Sequence, residues 1–90
     1  MSQWDKLLQR ILYISNDLRF DELRKVLEYY GYRMRTPNKG SSHYTFRKSG
    51  NNPITIPKKT PIKKIYVEKV KEVVEKEAND EKNNWLLYVS

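Results

Sequence analysis

The 90-residue chain predicts an α+β domain, with helices flanking a three-stranded antiparallel sheet. Three observations carry that expectation. Apolar residues recur at helical spacing near the N-terminus, again over 23–30, and again over 66–74. Between the second and third helical patterns, three short runs alternate strictly and are separated by turn residues. A chain this short also has room for one thin core, and so for a single domain over 1–90.

The elements follow in order. Ser2 stands where a helix cap belongs, with Asp5 three residues on. Trp4, Leu7, Leu8, Ile11 and Leu12 then form one apolar stripe, giving a helix within 2–14 that ends at Ser15-Asn16-Asp17. In the second helix Leu23, Val26, Leu27 and Tyr30 fall at i, i+3, i+4 and i+7. Asp21 and Glu22 suit the positive end of its dipole, and Gly31 can take the left-handed conformation that closes it.

The period then changes. Tyr32-Arg33-Met34-Arg35 alternates apolar and basic, Pro37-Asn38-Lys39-Gly40 turns the chain, and His43-Tyr44-Thr45-Phe46-Arg47 alternates again. Gly50-Asn51-Asn52 signals a hairpin into Pro53-Ile54-Thr55-Ile56-Pro57. Period two assigns Tyr32, Met34, Tyr44, Phe46, Ile54 and Ile56 to the helix side. Arg33, Arg35, His43, Thr45, Arg47 and Thr55 go to the open side. The last helix carries Tyr66, Val67, Val70, Val73 and Val74 on its apolar face, with exposed pairs Lys71–Glu75 and Glu72–Lys76. A C-terminal tail is expected over 79–90, polar at first and then apolar at Trp85, Leu86, Leu87, Tyr88 and Val89.

Charge is the next signal. The chain carries +7, but residues 31–66 hold nine of the 18 bases and none of the 11 acids. That segment is therefore +9 and the rest −2. A continuous single-sign segment is the footprint of a polyanion binder, because a surface kept basic only for solubility would intersperse acids. Without cysteine there is no disulfide frame and no thiolate chemistry. The N-terminus lacks the apolar run of a signal peptide or membrane span, so a soluble cytoplasmic protein without membrane partners is expected.

His43 is the single histidine and lies inside the acid-free segment. RNA cleavage requires a proton taken from the ribose 2′-hydroxyl and one given to the leaving 5′-oxygen. Imidazole can do either, while arginines hold the phosphate and stabilise the transition state. A solvent-facing strand histidine with no role is the bland counterpart. With no second imidazole and no carboxylate nearby, the segment does not offer a metal-ligand set, and no cofactor is expected. Tyr44, Lys39, a serine or water remain as second proton carriers.

Gly40-Ser41-Ser42 could cradle a phosphate or simply feed the chain into a strand. Lys58, Lys59, Lys63 and Lys64 precede a helix N-terminus, a natural phosphate site and equally a solvated loop. Tyr29, Tyr30 and Tyr32 could stack on bases, although Tyr30 and Tyr32 suit the core better. The Trp4 stripe and the apolar tail could meet a partner protein, but such stripes more often close a small core.

The order Leu23…Leu27…Gly31-Tyr32, then Ser42-His43-Tyr44-Thr45-Phe46-Arg47, then Pro53-Ile54-Thr55-Ile56-Pro57 and a closing helix resembles the HicA toxins. These are mRNA interferases of bacterial and archaeal toxin–antitoxin pairs, acting in stress responses. The resemblance covers about 18–77 and leaves the N-terminal helix and the tail as additions. It implies an α-β-β-β-α fold like a double-stranded-RNA-binding domain, a catalytic role for His43, and neutralisation by a HicB-like antitoxin. The family's Gly-Ser-His appears here with one extra residue, as Gly40-Ser41-Ser42-His43.

The resulting expectation is a metal-independent endoribonuclease, an RNA hydrolase acting on mRNA. His43 is its acid–base group, and Arg33, Arg35, Lys39, Ser42, Arg47, Lys58, Lys59, Lys63 and Lys64 are its RNA contacts. The alternative is a non-catalytic RNA-binding module of the same fold. A protein-interaction domain using the apolar ends is third.

Overall fold

The computed structural model describes residues 2–37, 40 and 42–89, with side chains described as far as Glu77. Its element order is α1 (Gln3–Leu12), α2 (Phe20–Tyr29), β1 (Arg33–Arg35), β2 (His43–Arg47), β3 (Ile54–Pro57) and α3 (Lys64–Val89). The three strands form one antiparallel sheet in the order β1-β2-β3. This is the expected α+β arrangement.

Ser2 caps α1, its hydroxyl accepting from the Asp5 N–H at 3.1 Å. The helix closes with paired bonds from Ile14 N–H to the Ile11 carbonyl and from Ser15 N–H to the Arg10 carbonyl. This geometry puts Ile14 at φ +53, a conformation usually left to glycine. A β-branched residue there is strained, and packing of its half-buried side chain against the core compensates. Arg10 then clamps the α1–α2 turn. It donates to Glu22 at 2.6 Å and to the Asp17 carboxylate at 3.1 Å. Ser15 and then Arg10 bond the Asp17 carboxylate, holding it below its usual range. The same Glu22 and Asp17 partners raise the Arg10 guanidinium.

α2 ends as the sequence predicts. Gly31, at φ +96, lets the Tyr32 N–H reach back to the Leu27 carbonyl at 3.0 Å. Tyr32 is buried, and burial pushes its phenol above the ordinary value, opposed by the nearby Lys48 ammonium. Lys48 lies 5.8 Å from the Tyr32 ring centre and pairs with Glu77 at 2.7 Å. One of the nine bases of the acid-free segment is thus spent on fastening the sheet to α3.

Leu23, Val26 and Leu27 of α2 meet Phe46, Ile54 and Ile56 of the sheet and Val67, Val70, Val73 and Val74 of α3 in one core. Leu7 and Ile11 of α1 belong to the same core, so the N-terminal helix is built into the fold and not appended to it. Leu18 and Ile62, which sit in no periodic stripe, are also buried and plug the core from two loops.

The expected separate tail is corrected. α3 runs unbroken from Lys64 to Val89 and takes in 79–89. No glycine or proline follows Pro61 to stop it, and Glu, Lys, Ala and Leu sustain the helix. The packing expected of Trp85, Leu86, Leu87, Tyr88 and Val89 lies outside the described side chains. Among the described residues, no helix is long and apolar enough to cross a membrane.

Candidate nucleic-acid interface and cleft

β2 is the central strand, and its register arranges the open face in rows. Arg33 stands opposite Arg47, and Arg35 opposite Thr45, with Thr55 on the far side of Thr45. The two threonine hydroxyls meet at 3.2 Å. His43 stands opposite Pro57 in the last row. Arg33, Arg35, His43 and Arg47 are exposed while Phe46, Ile54 and Ile56 are buried, so the faces fall as alternation predicts.

Two like charges directly opposite each other destabilise a sheet. Arg33 and Arg47 nevertheless form such a pair. Among the described residues, neither they nor Arg35, Lys59, Lys63 or Lys64 makes an ion pair within the chain. The face is left with an unneutralised positive field. Two residues along a strand advance roughly 6.6 Å, so the Arg33–Arg47 row lies about 13 Å from His43. Those arginines can hold neighbouring phosphates but not the one at the imidazole.

What surrounds His43 comes from the chain beyond β3. The Lys58 N–H donates to the Ser42 carbonyl at 2.8 Å and extends the pairing by one residue. The Lys59 N–H then turns back onto the Pro57 carbonyl at 2.9 Å. Buried Ile62 pins the loop to the core. The Lys63 carbonyl opens α3 by accepting from the Tyr66 N–H at 3.0 Å. The loop and the first turn of α3 thereby enclose a cleft of about 350 Å³. It is lined by Ser42, His43, Pro57, Lys59, Lys63 and Tyr66, with residues 60–62 between.

The expected site residues therefore divide. Ser42, His43, Lys59 and Lys63 come together in the cleft, while Arg33, Arg35 and Arg47 form the adjoining face. Lys58 turns the other way, its ammonium 6.0 Å from the ring centre of Phe20 on the helix side. Lys64 is exposed as the first residue of α3 and is not part of the cleft lining. Lys39 and Ser41 lie outside the described residues.

One suggested proton carrier is displaced. Tyr44 packs its ring 5.0 Å from Phe20, on the face of the sheet opposite His43. Adjacent strand residues always point to opposite faces, so it cannot share a substrate atom with the imidazole. Tyr66 is the residue that sequence reasoning missed. It reads as one more apolar position of the last helix, yet it is half-buried at the cleft wall. Its signal was being the one hydroxyl-bearing side chain in a valine face, one turn beyond Lys63. Of the tyrosines offered for stacking, Tyr32 is buried, Tyr30 half-buried, and Tyr29 exposed beside Trp4.

Chemically, the cleft offers an imidazole, two primary ammonium groups and several hydroxyls. That set can bind a phosphodiester and move protons at its oxygens. Among the described residues, no three His, Asp or Glu side chains gather where they could hold a metal ion. No family model, characterised protein or solved structure matches the chain. The functional reading therefore rests on the site.

Proposed function

We propose that the protein is a metal-independent endoribonuclease of the HicA type, a cytoplasmic mRNA interferase with a double-stranded-RNA-binding-domain-like fold, held in check by a HicB-like antitoxin. The observation that carries this reading is the position of His43. It faces a cleft with Lys59 and Lys63 while sharing an exposed, acid-free sheet face with Arg33, Arg35 and Arg47. The cleft is the place of the scissile phosphate, and the arginine face guides the strand that leads to it. An antitoxin covering this face meets a basic surface and would be acidic where it touches.

The test is incubation with RNA in the presence of EDTA. Cleavage leaving a 2′,3′-cyclic phosphate and a 5′-hydroxyl is expected. Tight, salt-dependent binding without cleavage would select the non-catalytic RNA-binding module instead, and RNA affinity equal to that of an uncharged control would reject both.

The arginine face has its own signature. In an Arg33→Gln, Arg35→Gln, Arg47→Gln variant, RNA affinity should lose salt sensitivity by about 0.7 per phosphate contact, or roughly two in the slope of log K against log salt. Thermal stability should hold or rise, because the cross-strand repulsion disappears. An unchanged slope would move the RNA path off this face.

A further inference from the structure

Cleavage by His43 leaves one proton unassigned, and the cleft contains a side chain suited to carry it. We infer that Tyr66 is the general acid of the reaction, an inference that rests on the ribonuclease reading. Three features single it out among the cleft residues. Lys59, Thr60 and Lys63 are exposed, whereas Tyr66 is half-buried with its ring packed against the core. It stands on the first turn of α3, where its own N–H bonds the Lys63 carbonyl at 3.0 Å. Proton transfer rewards a carrier held in place. Third, the Lys69 ammonium lies 5.7 Å from the Tyr66 ring centre and Lys63 lines the same cleft. Both cations bring positive charge to the side chain that must give up a proton.

The division of labour follows from the two groups. A phenol ordinarily enters a reaction near neutral pH protonated, so it can only donate. Imidazole carries a ring nitrogen that can accept a proton. His43 takes the proton of the ribose 2′-hydroxyl. The 2′-oxygen forms its bond to phosphorus as the bond from phosphorus to the 5′-oxygen breaks. Tyr66 gives its proton to that departing oxygen. The products are the 2′,3′-cyclic phosphate and the 5′-hydroxyl, and water returns the imidazolium proton to the phenolate.

The experiment compares wild type, Tyr66→Phe and His43→Ala on two RNAs in single-turnover cleavage. One RNA is natural, and the other carries sulfur in place of the scissile 5′-oxygen. A thiolate leaves without being protonated, so the second substrate bypasses the acid. Tyr66→Phe keeps the ring, its core contact and its place beside Lys69. It should cleave natural RNA about 10²-fold or more slowly and the sulfur-substituted RNA at close to the wild-type rate. His43→Ala should be slow on both. Full activity of Tyr66→Phe on natural RNA would overturn the assignment, as would an equal loss on both substrates. In either case a His43-dependent wild-type activity leaves the ribonuclease reading standing. A wild type that cleaves neither RNA would overturn both.

Discussion

Phe46→Ala should cost about 3–5 kcal/mol of stability, the range for removing a fully buried phenylalanine. The side chain is wholly buried on the central strand, 6.0 Å from the Phe20 ring centre. It lies between Met34 and Ile54 of the flanking strands. No neighbour on these short strands can move in to fill the space without breaking the pairing that carries His43. A domain of this size has total stability of about 5–13 kcal/mol, so a large share is lost. At about 4–8 °C per kcal/mol, the melting temperature should fall by at least about 12 °C. Tyr13→Ser provides the control. Tyr13 is 84 % exposed, so its loss should change stability by less than about 0.5 kcal/mol. A drop for Phe46→Ala no larger than the control's would mean that the core is not organised around β2.

That core was largely legible before the structure. Period two identified Phe46, Ile54 and Ile56 as inward, and the 3.6-residue period identified Leu23, Val26 and Leu27, because both patterns are local geometry. The same logic placed Gly31 at the end of α2. It failed where burial depends on which segment happens to pass nearby. Leu18 and Ile62 lie in loops, and no periodicity marks them. The unbroken run of α3 to Val89 was not legible either, because polar composition at 79–84 looks like a boundary although no residue there stops a helix.

The site divides along the same line. The open face with its three arginines and His43 was legible from alternation alone. The cleft was not, because it is made by the return of residues 58–63 over the end of β2, a tertiary event set by the Lys58–Ser42 pairing and the burial of Ile62. For that reason Lys58 and Lys59, adjacent in sequence, end on different sides, and Tyr66 appeared in a helix stripe with nothing to mark the cleft beside it.

His43→Ala should lower RNA cleavage about 10²–10⁴-fold, the contribution of one positioned acid–base group. At 1.36 kcal/mol per decade this is roughly 2.7–5.4 kcal/mol of barrier. The loss should fall on the chemical step and not on binding. Lys59 and Lys63 in the cleft, and three arginines on the face beside it, remain to hold the RNA. Its Kd should therefore move by less than about threefold, since each lost contact of this kind is worth little at an exposed site. Fold stability should hold within about 0.5 kcal/mol, because His43 is exposed. His43→Gln sharpens the test. Glutamine keeps hydrogen-bonding capacity but cannot carry a proton through the reaction, so it should be as inactive as alanine. Expression of the wild type should arrest growth and neither variant should. Equal cleavage by wild type and His43→Ala would sink the catalytic assignment. A His43→Gln variant that keeps full activity would reduce the imidazole to a hydrogen-bonding contact. If both variants instead lose RNA affinity in proportion to activity, His43 grips the phosphate, and the proton must be taken elsewhere in the cleft.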